Sequence, residues 1–403
     1  MTKFDPAKSL STRTSAIAEG AILAMAQKAR DLKASGADVI SLTIGEPDFD
    51  TPEAIRQAAA DAMNAGHTHY VPIAGIAELR EAIAAKLRDE NGIPAAAADV
   101  VLANGAKQAI TNACFATLDA GDEVILPAPF WNAYQGIVEM AGGVPVVIPS
   151  TPAEAFKPPL SRIAEAMNER TKLIFINSPS NPSGAVWTAE ELEELARLVQ
   201  AHPRCLVVAD EIYEYIWFDA PPRSIASLPG MYERTITING LSKGFAMTGW
   251  RVGYAAAPAP LARAITKIQG TFTAGGNAFA QHGALAAITG PRDEVEKMRV
   301  SYKRRRDLAV AMLKGIEGVN ITAPPATFYI LADIAGLLGK TAGNTRIETD
   351  TDFCNWLLEE YHVATVPGSA FGAPGCIRFS VATRDSDITK GLERLARAAN
   401  ALS

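Results

Sequence analysis

A large doubly wound α/β domain with a mostly parallel sheet, joined to a smaller α+β domain, is the fold class this sequence predicts. Three observations lead there. The chain has 403 residues, too many for one small core and enough for two. Through its middle, short continuous apolar runs alternate with helix-patterned segments, and such runs suit strands buried on both faces of a parallel sheet. Beyond about residue 290 that alternation gives way to long, charged helical stretches around isolated strand-like runs.

Taken in order, residues 15–34 read as a helix ahead of the run 40–44. Residues 76–91 and 106–118 are helical, with a strand-like run at 100–102 between them and the Ala-rich 95–98 as a short helix or turn. Apolar runs at 123–126, 146–148, 172–176, 205–209 and 235–238 supply the sheet. Helix 188–201 opens on Thr188-Ala189-Glu190-Glu191, which has capping-box spacing. The second domain should contain helix 292–315, a strand over 327–332, helices 352–361 and 387–400, and the strand-like 376–380. The intervening stretch 333–350, with several glycines and threonines and no strong pattern, is expected to be an exposed loop. No internal repeat or low-complexity tract is visible.

Composition narrows the function classes. Hydrophobic residues make up 48% and charged residues 20%, an ordinary soluble globular balance. A net charge of -6 argues against a nucleic-acid partner. No apolar window is long enough to cross a bilayer and the first residues hold no apolar core of a signal peptide, so a cytoplasmic protein without a membrane partner is expected. Cys114, Cys205, Cys354 and Cys376 are scattered without a paired spacing, which predicts core packing rather than a disulfide framework or a zinc site. His67 and His69 have strand-like spacing but no third ligand in view, so no metal is expected.

Chemistry concentrates at the ends of the apolar runs, where ligands of doubly wound folds bind. In Asn239-Gly240-Leu241-Ser242-Lys243-Gly244, one lysine sits among small residues, with Arg251 eight positions on. An imine-forming lysine must lose its proton near neutral pH, and a flat cofactor needs a glycine-lined approach. Asp210 ends the run 206–209, where a carboxylate is either a helix N-cap or a partner for a ring nitrogen. Asn181, in Asn177-Ser178-Pro179-Ser180-Asn181-Pro182-Ser183-Gly184, sits in a loop stiffened by two prolines; composition alone reads a tight turn. Asn104-Gly105-Ala106-Lys107 opens a helix after a strand, a pattern that suits an anion. Trp131 stands at a strand-to-helix junction, as a core residue or a stacking surface. Arg378 lies inside an apolar run, where a fork-shaped guanidinium wants a carboxylate.

These stretches, over nearly the whole chain and in matching order, resemble the pyridoxal-phosphate enzymes of the aspartate aminotransferase family, fold type I. The carriers are Ser242-Lys243 ahead of Met247-Thr248-Gly249-Trp250-Arg251, Asp210-Glu211-Ile212-Tyr213, Asn181-Pro182-Ser183-Gly184 and the segments around Tyr70, Gly45, Lys107 and Arg378. The resemblance implies pyridoxal 5'-phosphate as cofactor and a transfer of amino groups from an L-amino acid to a 2-oxo acid, with L-aspartate and 2-oxoglutarate expected. Donors such as alanine or aromatic amino acids, or a C–S lyase reaction, are the alternatives. It implies catalytic roles for Lys243, Asp210 beside the pyridine nitrogen, and Tyr213 on the phenolic oxygen. Gly105, Ala106, Lys107, Ser242 and Arg251 would hold the cofactor, its phosphate meeting the helix start and Arg251. Trp131 would stack on the ring, and Asn181 would reach the phenolic oxygen and the substrate carboxylate. Gly45 and Arg378 would take the α-carboxylate. Lys107 would meet a distal carboxylate or remain a solvated first-turn lysine. Tyr70 would reach the phosphate of a neighbouring subunit, which implies a homodimer with shared sites. Glu211 has no implied cofactor role and is read as structural. The implied domains are 1–47 as an N-terminal arm and part of the small domain, 48–290 as the large cofactor domain, and 291–403 as the small one. Two departures stand out: Gly240 occupies a place where many relatives carry a phosphate-binding serine, and Ala326 replaces a usual glycine near the expected substrate side chain.

Overall fold

The computed structural model describes residues 5–11, 14, 21–343 and 345–403. The central sheet has seven strands: β1 Val100–Ala103, β2 Glu123–Pro127, β3 Val144–Ile148, β4 Thr171–Asn177, β5 Leu206–Asp210, β6 Thr235–Gly240 and β7 Gly253–Ala256. Their spatial order is β1-β7-β6-β5-β4-β2-β3. All neighbours are parallel except β7, which runs antiparallel to both β1 and β6.

Continuous apolar runs do pack on both faces. Val124 and Leu126 of β2 join Ile110, Phe175 and Ile265 in one core, while Ile125 joins Ile174, Leu192, Leu195 and Val207 in another on the opposite face. Helices Ala106–Thr117 and Ala259–Thr273 contribute to the first, and Leu160–Ala166 and Ala189–Ala201 to the second. At Thr188 the hydroxyl accepts from the Glu191 amide at 3.2 Å while the Glu191 carboxylate accepts from the Thr188 amide at 2.7 Å, the reciprocal cap expected from the spacing.

A second, antiparallel sheet consists of β8 Tyr329–Asp333, β9 Val366–Pro367 and β10 Cys376–Ser380, in the order β9-β10-β8. Helices Asp293–Leu313, Asp350–Tyr361 and Asp385–Asn400 flank it. The short strand Ile40–Ser41 pairs in parallel with Val363–Ala364, attaching the N-terminal segment to this C-terminal part. The helix expected over 15–34 is described as Ala21–Ala34; residues 15–20 lie outside the described residues.

Strand β7 has no counterpart among the apolar runs, because Gly-Tyr-Ala-Ala lacks the β-branched content that marks a strand. The stretch 333–350 is not simply an exposed loop: it contains a short helical turn and a two-stranded hairpin, and Ile334, Leu337 and Ile347 are fully buried anchors. All four cysteines are buried and unpaired by disulfides. Among the described residues no helix is long and apolar enough to cross a membrane.

Candidate active site

Strands β4, β5 and β6 end side by side, with Asn177 paired to Asp210 in register. Above those carboxyl ends lies a cavity of about 260 Å³, lined by Lys243, Asp210, Tyr213, Asn181, Arg251 and Arg378 among others. Residues from the first fifty positions to the last thirty therefore converge on one pocket, at the place a doubly wound sheet reserves for ligands.

Lys243 follows β6 and donates from Nζ to the Gly45 carbonyl. Its ammonium is lowered to about 8, chiefly by burial, with Glu46 opposing and Arg378 and Arg251 assisting. The amine therefore becomes a nucleophile within reach of neutral pH. Nζ lies 6.0 Å from the ring centres of both Tyr213 and Phe328.

Asp210 is only 3% exposed. Burial raises its carboxyl to about 6, opposed by hydrogen bonds from Tyr134 and from the Ile212 amide and by the Lys243 charge. Tyr134 Oη donates to Oδ2 at 2.6 Å and the Ile212 amide to Oδ1 at 3.2 Å. No helix begins at Asp210, so its side chain caps a turn while facing the cavity, and the helix N-cap reading does not apply.

The anion cradle is built from close backbone approach. Gly105 starts helix Ala106–Thr117 with φ +86°, a conformation that favours glycine, and a Cβ there would run into the Arg251 guanidinium. Arg251 is held by its own contacts, donating to the Thr248 carbonyl at 2.9 Å and the Asn104 carbonyl at 3.3 Å. Gly240 has no room for a serine side chain: a Cβ would fall 2.9 Å from both the Gly253 Cα and the Val252 carbonyl oxygen. Close strand pairing takes that position instead of a side-chain hydroxyl.

Arg378, on β10, is 2% exposed. It donates to Asn181 Oδ1 at 2.9 Å and to the Thr43 carbonyl at 2.8 Å, while its buried Nε has no hydrogen-bond partner. Tyr329 and Phe371 stack near its guanidinium at 4.4 and 4.7 Å. Its hydrogen bonds go to neutral oxygens only, a setting in which a buried guanidinium favours an anion.

Gly45, Ala106, Lys107, Trp131 and Ser242 also line the cavity. The Lys107 Nζ sits 4.8 Å from the Trp131 ring centre, its pKa lowered by local burial and then by Arg251. Tyr70 does not line it; 95% exposed, it stands on a separate shallow surface with His69 and Asn277. Ala326 is fully buried, bridges to Trp217 and does not line the cavity, whereas Tyr329 of the same segment does. Tyr134, Asn177 and Tyr329 line the pocket without having been singled out. For Tyr134 a signal existed: a tyrosine on the apolar face of helix Ala133–Met140 wants a polar partner for its hydroxyl.

A buried lysine lowered to about 8, a buried carboxylate, a glycine at a helix start beside an arginine, and an arginine whose Nε has no partner thus gather around one cavity. A family model described as aminotransferase class I and II matches residues 37–395. The aspartate aminotransferase of Rhizobium meliloti (strain 1021) is 42% identical, over 99% of this chain and 97% of the relative. The aspartate/prephenate aminotransferase of Cereibacter sphaeroides is 44% identical, over 93% of this chain and 94% of that protein. A crystal structure of the Rhizobium meliloti aspartate aminotransferase superposes with a TM-score of 0.95 at 41% identity, covering 98% and 99% of the two chains. The Thermus thermophilus aspartate aminotransferase with maleate gives 0.91 at 41% identity, covering 96% of this chain and 99% of that one. The chain belongs to the class I and II aminotransferases, and pyridoxal phosphate is its cofactor.

Proposed function

We propose that this aminotransferase takes L-aspartate as amino donor and 2-oxoglutarate as acceptor. The observation that carries the substrate class is Arg378, a buried guanidinium whose Nε lacks a partner and which faces the same cavity as Lys243. The donor assignment is supported by the names of the relatives and by Lys107, a second cation at the pocket wall suited to a distal carboxylate.

Bound pyridoxal phosphate supplies an electron sink that weakens the bonds at the donor's Cα. Gly105, Ala106, Ser242 and Arg251 would hold its phosphate, where backbone amides at a helix start and a fixed cation favour an anion. Asp210, a carboxylate above about pH 6 with Tyr134 donating to it, would pair with the ring nitrogen. Tyr213 and Asn181, on the same cavity wall, would hold the phenolic oxygen, and Trp131 would stack on the ring. Gly45 and Arg378 orient the α-carboxylate. Lys243, buried and lowered to about 8, would hold the proton taken from the donor's Cα.

The same reading takes residues 1–47 and 291–403 as arm and small domain around a large domain of 48–290, supported by the pairing of Ile40–Ser41 with Val363–Ala364. It includes a cytoplasmic homodimer in which Tyr70 serves the neighbouring site; the exposed Tyr70 ring and the free buried cysteines favour it.

The test is a donor panel with 2-oxoglutarate. Aspartate should give a kcat/KM well above those of alanine and phenylalanine, and Lys107→Ala should raise the KM for aspartate far more than that for alanine. Equal values for all three donors would remove the acidic-substrate assignment.

A further inference from the structure

Lys243 and Tyr213 face the same cavity from different elements, and a buried polar cluster behind the cavity ties those elements together. Glu214, next to Tyr213 in the turn after β5, accepts from Lys86 Nζ through both carboxylate oxygens, from Asn91 Nδ2 at 2.9 Å and from Asn239 Nδ2 at 2.7 Å. Lys86 also donates to Asn91 Oδ1 at 2.8 Å. The side chains of Lys86 and Glu214 are 2% and 9% exposed, so this is a desolvated pair. Such a pair adds little net stability over apolar packing; its satisfied hydrogen bonds specify geometry instead.

Asn239 carries the specification onward. Its Oδ1 accepts from the Gly240 amide at 2.7 Å, fixing the last turn of backbone before Lys243. On the other side of Glu214, Tyr215 packs directly on the residue after the lysine: a Cβ on Gly244 would fall 2.7 Å from Tyr215 Cδ2. Tyr215 in turn donates to Glu90 at 2.7 Å, on the helix Ala77–Asn91 that supplies Lys86.

We propose that Glu214 is a positioning residue: with Lys86, Asn91 and Asn239 it locks the Tyr213 turn and the Lys243 loop into one relative placement. This rests on the function proposed above. Glu214 touches no reacting atom; it acts through the residues on either side of it.

The experiment uses the holoenzyme of Glu214→Gln, which keeps the volume but loses the charge and one acceptor, and of Asn239→Ala, which removes a single link. Expected for Glu214→Gln is a kcat about tenfold to a hundredfold lower, the size of effect that misplaced reacting groups produce, with the donor KM little changed. The pH midpoint of the bound cofactor's visible absorbance should move, because it reads the proton affinity of the Lys243 nitrogen on the cofactor, which the placement of Tyr213 tunes. Asn239→Ala should change both readouts in the same direction by less. Folded variants with wild-type kcat and midpoint, or a lower kcat that vanishes once the folded fraction is counted, would overturn the proposal. If Glu214→Gln fails to fold, the Asn239→Ala readouts decide. Absence of amino transfer in the wild-type enzyme would strike the functional reading instead.

Discussion

At the scale of single residues, the site stores unfavourable electrostatics that a ligand relieves. Asp210 has its carboxyl raised to about 6 by burial, so keeping it ionised at pH 7 costs the cofactor-free protein on the order of 3 kcal/mol. The sign follows from linkage. Its folded pKa lies above the unfolded one, so the penalty is absent below about pH 4, grows between the two values and is complete above about pH 6. Asp210→Asn should therefore stabilise the cofactor-free protein increasingly as pH rises from 4 to 7, while reducing turnover severely; unfolding titrations at both pH values check this, and a pH-independent difference would contradict it. Arg378 makes the complementary point. Replacing it with lysine keeps a charge but loses the fork, and kcat/KM for aspartate should fall about a hundredfold, the scale of about 3 kcal/mol for a broken buried charge pair. An unchanged kcat/KM would place the substrate carboxylate elsewhere.

At the scale of elements, the cradle depends on how tightly β7 lies against the start of helix Ala106–Thr117. A Cβ at Gly253 would fall 2.5 Å from the Gly105 carbonyl carbon and 3.0 Å from the Ala106 Cα. Gly253→Ala should thus push that helix start away from Arg251 and weaken cofactor binding at least about tenfold, beyond the 1–3 kcal/mol general to overpacking. Cofactor titration checks it; a lower Tm with unaltered affinity would show that the cradle tolerates the shift. Lys243, Asp210 and Asn181 could be placed from sequence because each follows a continuous apolar run, and such runs are strands whose ends face the ligand. Strand β7 could not, since its Gly-Tyr-Ala-Ala owes its conformation to neighbours on both sides rather than to propensity. Ile334, Leu337 and Ile347 were equally hard to see, since a single helical turn and one isolated isoleucine make too short a pattern to read. The Lys86–Glu214 cluster was invisible because nothing in sequence joins positions 86, 91, 214 and 239.

At the scale of the whole molecule, the open question for the surface is what covers Tyr70. A tyrosine 95% exposed, with Met63, Ile73 and Phe272 also exposed among the large apolar residues, suits an interface between copies of the chain. Sedimentation should give twice the 42.7 kDa chain mass, and Tyr70→Phe should weaken cofactor retention in the dimer without dissociating it. A monomer retaining full activity would exclude shared sites. A single turnover shows whether this cavity moves an amino group from aspartate. Holoenzyme mixed with L-aspartate and no 2-oxo acid should release one oxaloacetate per active site while the visible absorbance is lost, and adding 2-oxoglutarate should restore the colour and yield glutamate. Oxaloacetate absent, or ammonia released with continued turnover, would contradict the account.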